Sequence, residues 1–118
     1  MDVPSQRRRR TRLSGRRFLL ASVAALIAIA TAQLADLATF LEMVSVGGLE
    51  SEANPLVAYV ARTAGLDALV AAKLALIGFA TLTFAIVAPV RQRLAASVLT
   101  VATASGLLGA TSNLLTIA

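Results

Sequence analysis

Asp36, Lys73 and Asn113 are the residues of this sequence whose types could do chemistry, because each sits inside a long apolar run. Lys73 is also the only lysine in the chain. An ionised side chain in hydrocarbon costs roughly 3 kcal/mol on insertion scales, so such groups pair with one another or mark an ion or proton path. Gln33 lies one helical turn before Asp36, which puts it on the Asp36 face, and Thr39 falls close to the same side. Counted at 1.5 Å per residue, Asp36 lies about 6 Å inward from the outer end of its run, Lys73 about 10 Å and Asn113 about 6 Å. All three therefore share one layer. The expected arrangement is an Asp36–Lys73 ion pair, with Asn113, Gln33 and Thr39 satisfying its leftover hydrogen bonds.

Other chemistry is poorly served. The chain has no histidine and no cysteine, which removes disulfides, thiolates, zinc sites of the usual ligand types and every histidine-based catalytic arrangement. A serine nucleophile such as Ser45 or Ser105 lacks its usual base. Two-aspartate proteolysis would require Asp36 and Asp67 to meet at one depth, whereas Asp67 follows Gly65 in what reads as a first helical turn, where an acid has a capping role. Glu42, Glu50, Glu52 and Asp67 could offer oxygen ligands to a divalent cation, but exposed loop acids are the simpler reading. The sequence thus predicts no enzyme, no cofactor and no metal site.

The elements that must position these residues are set by composition. Hydrophobic residues make up 58% of the chain and charged ones only 14%, outside the usual range of soluble domains. Three apolar stretches, residues 18–41, 66–90 and 94–117, are each long enough to cross about 30 Å of hydrocarbon. The fold expected is an all-α membrane protein of one domain: a basic tail over residues 1–17, then a three-helix transmembrane domain over residues 18–118 with a cap at residues 42–65. No internal repeat is present, and the arginine tail is the only low-complexity segment.

Arg7, Arg8, Arg9, Arg10, Arg12, Arg16 and Arg17 carry most of the net charge of +5. With an apolar run beginning at Phe18, anionic lipid head groups are their nearer partner than nucleic acid, since no soluble module accompanies them. Arg91 and Arg93 lie between the second and third stretches, while residues 42–65 hold acids against the single Arg62. The positive-inside rule then puts the amino terminus and the turn at residues 90–93 in the cytoplasm, and the cap and carboxyl terminus outside. The expected location is the cytoplasmic membrane, crossed several times. Arg16-Arg17-Phe18-Leu19-Leu20 with Ala30-Thr31-Ala32 is similar to an export signal. Hydrophobicity continues through Leu34, Leu37, Phe40 and Leu41, so an uncleaved helix is the reading kept.

Within the cap, Asn54-Pro55 is a helix start, with Asn as N-cap and Pro at the first helical position. Gly65 is its stop, and Gly47-Gly48 marks a turn. The helix between, about residues 56–64, is too short to span and should lie at the outer interface. In the third stretch Ala102, Gly106 and Ala110 recur every four residues, beside a row of Ser105, Gly109 and Asn113. Small residues at this spacing let helices approach closely in lipid, within the bundle or in a homo-oligomer.

Asp36 with Thr39, then Glu52-Ala53-Asn54-Pro55 after a glycine-containing loop, then Lys73, resembles a family of small bacterial and archaeal membrane proteins catalogued as a domain of unknown function. The likeness covers residues 33–78. It implies a compact three-helix membrane domain with a polar cluster near the outer face, and no activity; the residues themselves give that cluster as Gln33, Asp36, Thr39, Glu52, Asn54, Lys73 and Asn113. Two function classes follow from the residues. The cluster is an internal clasp of a structural or accessory subunit with a membrane protein partner, or it is the site of a small proton- or ion-coupled transporter or channel, holin-like pores included.

Overall fold

The computed structural model describes residues 3–118, the side chains of residues 9–13 excepted. The elements among these residues are four helices in the order α1 (Pro4–Gly47), α2 (Pro55–Ala64), α3 (Leu66–Val87) and α4 (Gln92–Ile117), with a 3-10 turn at Leu49–Ser51. Among the described residues there is no strand. Three of the helices are long and apolar enough to cross a membrane, by Ser14–Gly47, Leu66–Val87 and Gln92–Ile117.

The helix boundaries follow local chemistry. Pro4 starts α1 at a position where its missing N–H is not needed. Arginine is a good helix former, and the basic segment is a continuation of the same helix rather than a separate tail. At its other end α1 runs past residue 41, where its apolar run closes, to Gly47. It stops at Gly48, whose φ of 73° is a conformation that glycine adopts freely. The reason for the extra turns is packing. Phe40 and Met43 are buried with Ala61 of α2 and Leu69 of α3, so the chain gains apolar burial by staying helical beyond Leu41. The Asn54 side chain accepts a hydrogen bond from Leu56 N–H at 3.0 Å and caps α2, with Pro55 at its first position. Gly65, at φ 94°, ends α2 and admits α3 directly after it. Pro89 has no N–H to continue the ladder of α3, and α4 resumes at Gln92.

Two clusters mark the two ends of the bundle. Ala25, Ile29, Phe84, Ala88 and Ala95 join the first half of α1 to the end of α3 and the start of α4. Phe40, Met43, Ala61 and Leu69 join the last turns of α1 to α2 and the start of α3, with Ile117 packed against them. α1 and α4 thus run parallel, with α3 antiparallel to both. Ala102, Gly106 and Ala110 are buried. Gly106 is the tightest point, because a Cβ added there would lie 2.6 Å from the Ala32 carbonyl carbon and 2.9 Å from the Gln33 nitrogen. Along α3, Leu76, Phe79, Leu82 and Ile86 leave their side chains exposed. An apolar outer face along a helix of this length is the surface that lipid contact requires.

Candidate functional site

The polar side chains gather where three helices meet. Asp36 and Thr39 come from α1, Lys73 from α3 and Asn113 from α4. Lys73 Nζ donates to Asp36 Oδ2 at 3.1 Å, and the two side chains are 19% and 18% exposed. Asn113, itself buried, turns the two N–H groups of Nδ2 toward three acceptors that share them: Asp36 Oδ1 at 3.2 Å, the Asp36 carbonyl at 3.1 Å and Thr39 Oγ1 at 3.1 Å. Thr39 Oγ1 in turn donates to the Ala35 carbonyl at 2.7 Å. Each carboxylate oxygen of Asp36 therefore has a donor, one from α3 and one from α4. A charge withdrawn from water needs this kind of complete hydrogen bonding.

Two residues that charge and polarity did not single out complete the site. Phe40, one turn beyond Asp36, places its ring centroid 5.1 Å from Lys73 Nζ, within cation–π range. Gly109 leaves the room that the carboxylate occupies, since a Cβ there would overlap Asp36 Oδ1 and lie 2.7 Å from its Cγ. The signals were present in the sequence. Phe40 is four residues after Asp36 and Gly109 four before Asn113, the spacings that stack side chains on one helical face.

Three members of the expected cluster hold other partners. Gln33 donates to the Ala102 carbonyl at 2.5 Å and to Ser105 Oγ at 3.0 Å, so it ties α1 to α4 one turn away from the ion pair instead of bonding to it. The close contact of Gly106 with Ala32 and Gln33 fixes the rotation that sends the Gln33 amide toward α4. Glu52 Oε1 accepts from the Asn54 backbone N–H at 2.9 Å, while Asn54 caps α2. Both nevertheless line, with Asp36, Lys73, Ser112 and Asn113, a chamber of about 450 Å³ roofed by residues 52–54.

An apolar groove of about 480 Å³ follows the seam between α3 and α4 below this chamber. Leu76, Phe79, Ala80, Val98 and Val101 form its walls, and Ser105 belongs to both cavities. Among the described residues no three acids come together as a group able to hold a metal ion. Glu42, Glu50 and Asp67 are exposed. Of the arginines, Arg16 and Arg17 are exposed at the foot of the bundle, and Arg7 and Arg8 stand exposed on the first turns of α1. The side chains of Arg9, Arg10 and Arg12 lie outside the described residues. No protein-family model, curated protein or solved structure matches the chain.

Proposed function

We propose that this protein is a structural or accessory subunit of the cytoplasmic membrane, with its amino terminus inside, its carboxyl terminus outside and α2 at the outer interface. The observation that carries this reading is the closure of the polar network. Asp36 is bonded from α3 by Lys73 and from α4 by Asn113, so one carboxylate fastens all three long helices. Such an arrangement serves to fix helix rotation and register in lipid, where apolar contact alone discriminates little between packings. The arginines ahead of Phe18 and at residues 91 and 93 support the orientation, with anionic lipid head groups as their partners. Tyr59 and Leu56, exposed on α2, suit an interfacial helix. Membership of the small-membrane-protein family that residues 33–78 resemble is part of this reading, and so is a larger membrane protein complex as the partner.

The test is a double-mutant cycle on thermal stability in mild detergent, using Asp36→Asn, Lys73→Met and the double variant. Each single change strands a charge and is expected to cost about 3 kcal/mol, with the double variant recovering more than half. Unchanged or raised stability in Asp36→Asn would sink the clasp reading. One observation favours a second reading, a small proton- or ion-coupled transporter: the chamber beside Lys73 is a space through which an ion could reach Asp36. Charge movement by the purified protein in liposomes, lost in Asp36→Asn, would establish it in place of the first.

A further inference from the structure

The seam between α3 and α4 has two chemically different halves that meet at Ser105. The upper half is the polar chamber and the lower half the apolar groove. A ligand that fills both must be amphipathic, with its polar part near Lys73 and its apolar part running along Leu76, Phe79 and Val101. Leu76, Phe79 and Val101 of the lower half are exposed on helices long enough to span a membrane, so its natural occupant is an acyl chain. Its volume lies within the range of about 300–1,000 Å³ typical of small-molecule sites.

Charge narrows the head group. Lys73 commits one N–H to Asp36 and sits over the Phe40 ring, which leaves its ammonium with donor capacity toward the chamber. Glu52 uses Oε1 for the Asn54 N–H, and its second oxygen has no hydrogen-bond partner among the described residues. The chamber therefore offers a cationic donor from α3 and a carboxylate acceptor from residues 52–54. Asp36, Glu52 and Lys73 together sum to one negative charge, so an anionic head group is repelled unless it brings its own cation. A phosphate with a tethered ammonium satisfies both groups.

We propose that the α3–α4 seam is a binding site for one zwitterionic membrane phospholipid, its phosphate on Lys73, its ammonium on Glu52 and one acyl chain in the groove. The site is separable from the clasp, because lipid retention tests the one and detergent stability the other.

The experiment places the protein in nanodiscs of equal phosphatidylethanolamine and phosphatidylglycerol, then counts the lipid kept on release by native mass spectrometry. The unmodified protein is expected to keep phosphatidylethanolamine roughly fivefold over phosphatidylglycerol, the ratio that one partly exposed charge pair supplies. Glu52→Gln retains the Asn54 bond and should bring that ratio close to one. Val101→Phe, at a side chain 68% exposed, should fill the groove and abolish retention of either lipid without disturbing the bundle, with helix content by circular dichroism as the check. Retention at the disc's own composition, no retention at all, or retention unchanged in Val101→Phe would overturn the proposal. Displacement by water-soluble glycerophosphoethanolamine would do the same, since the site would then read a free head group. The wild-type ratio decides the head-group claim even where a variant fails to fold.

Discussion

At the residue scale, two glycines that look alike in the sequence behave oppositely. A Cβ on Gly106 would meet the α1 backbone at Ala32 and Gln33, which can yield only by moving the helix, whereas a Cβ on Gly78 meets nothing within 4 Å. Gly106→Ala is therefore expected to lower stability by about 1–3 kcal/mol through overpacking. Gly78→Ala should raise it by roughly 0.5–1 kcal/mol, because glycine carries a larger conformational entropy loss inside a helix. Thermal unfolding of both variants in one detergent checks the pair, and equal effects would show that α1 and α4 are not in backbone contact. The small-residue pattern at Ala102, Gly106 and Ala110 was legible from spacing alone, since four-residue repeats define a helical face without knowledge of the partner. The bonding of Gln33 was not. Which acceptor an amide finds depends on how α1 is rotated against α4, and that rotation is set by the Gly106 contact, about seventy residues away in the chain.

At the scale of elements, α2 depends on its cap more than the long helices do on theirs. It has ten residues, a length at which an isolated helix is marginal in water, and Ala61 is its single buried side chain. Asn54→Ala removes the acceptor for Leu56 N–H. Expected are a loss of about 1 kcal/mol and faster amide exchange confined to the first turn of α2. Unaltered exchange there would mean that packing, not capping, holds the helix start. This helix was readable because Asn, Pro and Gly act through their own backbone geometry. The end of α1 was misplaced by hydropathy for a physical reason. The apolar run was closed at Leu41 because Glu42 interrupts it, while the helix is carried on to Gly47 by Met43 packing on Ala61 and Leu69. Span and helix are different quantities, and only the first is local.

At the scale of the whole molecule, the antiparallel course of α3 between two parallel helices puts the 3-10 turn and α2 at one end and residues 88–91 at the other. The sequence has no cysteine, so single introduced thiols report sidedness without background. In intact cells a membrane-impermeant maleimide is expected to label Glu50→Cys, and Arg91→Cys only after permeabilisation. The reverse pattern would invert the proposed orientation while leaving the fold untouched. An intact mass of the extracted protein is expected to include residues 25–32, because Ala32 packs against Gly106 and loss of this stretch would strip Ala25 and Ile29 from the lower cluster.

The separation of Asp36 and Lys73 by 37 residues also sets an order of events during biosynthesis. Translation at about 5–20 residues per second leaves roughly 2–7 seconds between the two side chains. Throughout that interval α1 carries a carboxylate whose partner does not yet exist, and its release alone into lipid would cost roughly 3 kcal/mol. The first span is therefore expected to be held by the insertion machinery until α3 arrives, so that the two helices enter the bilayer as one already neutralised unit.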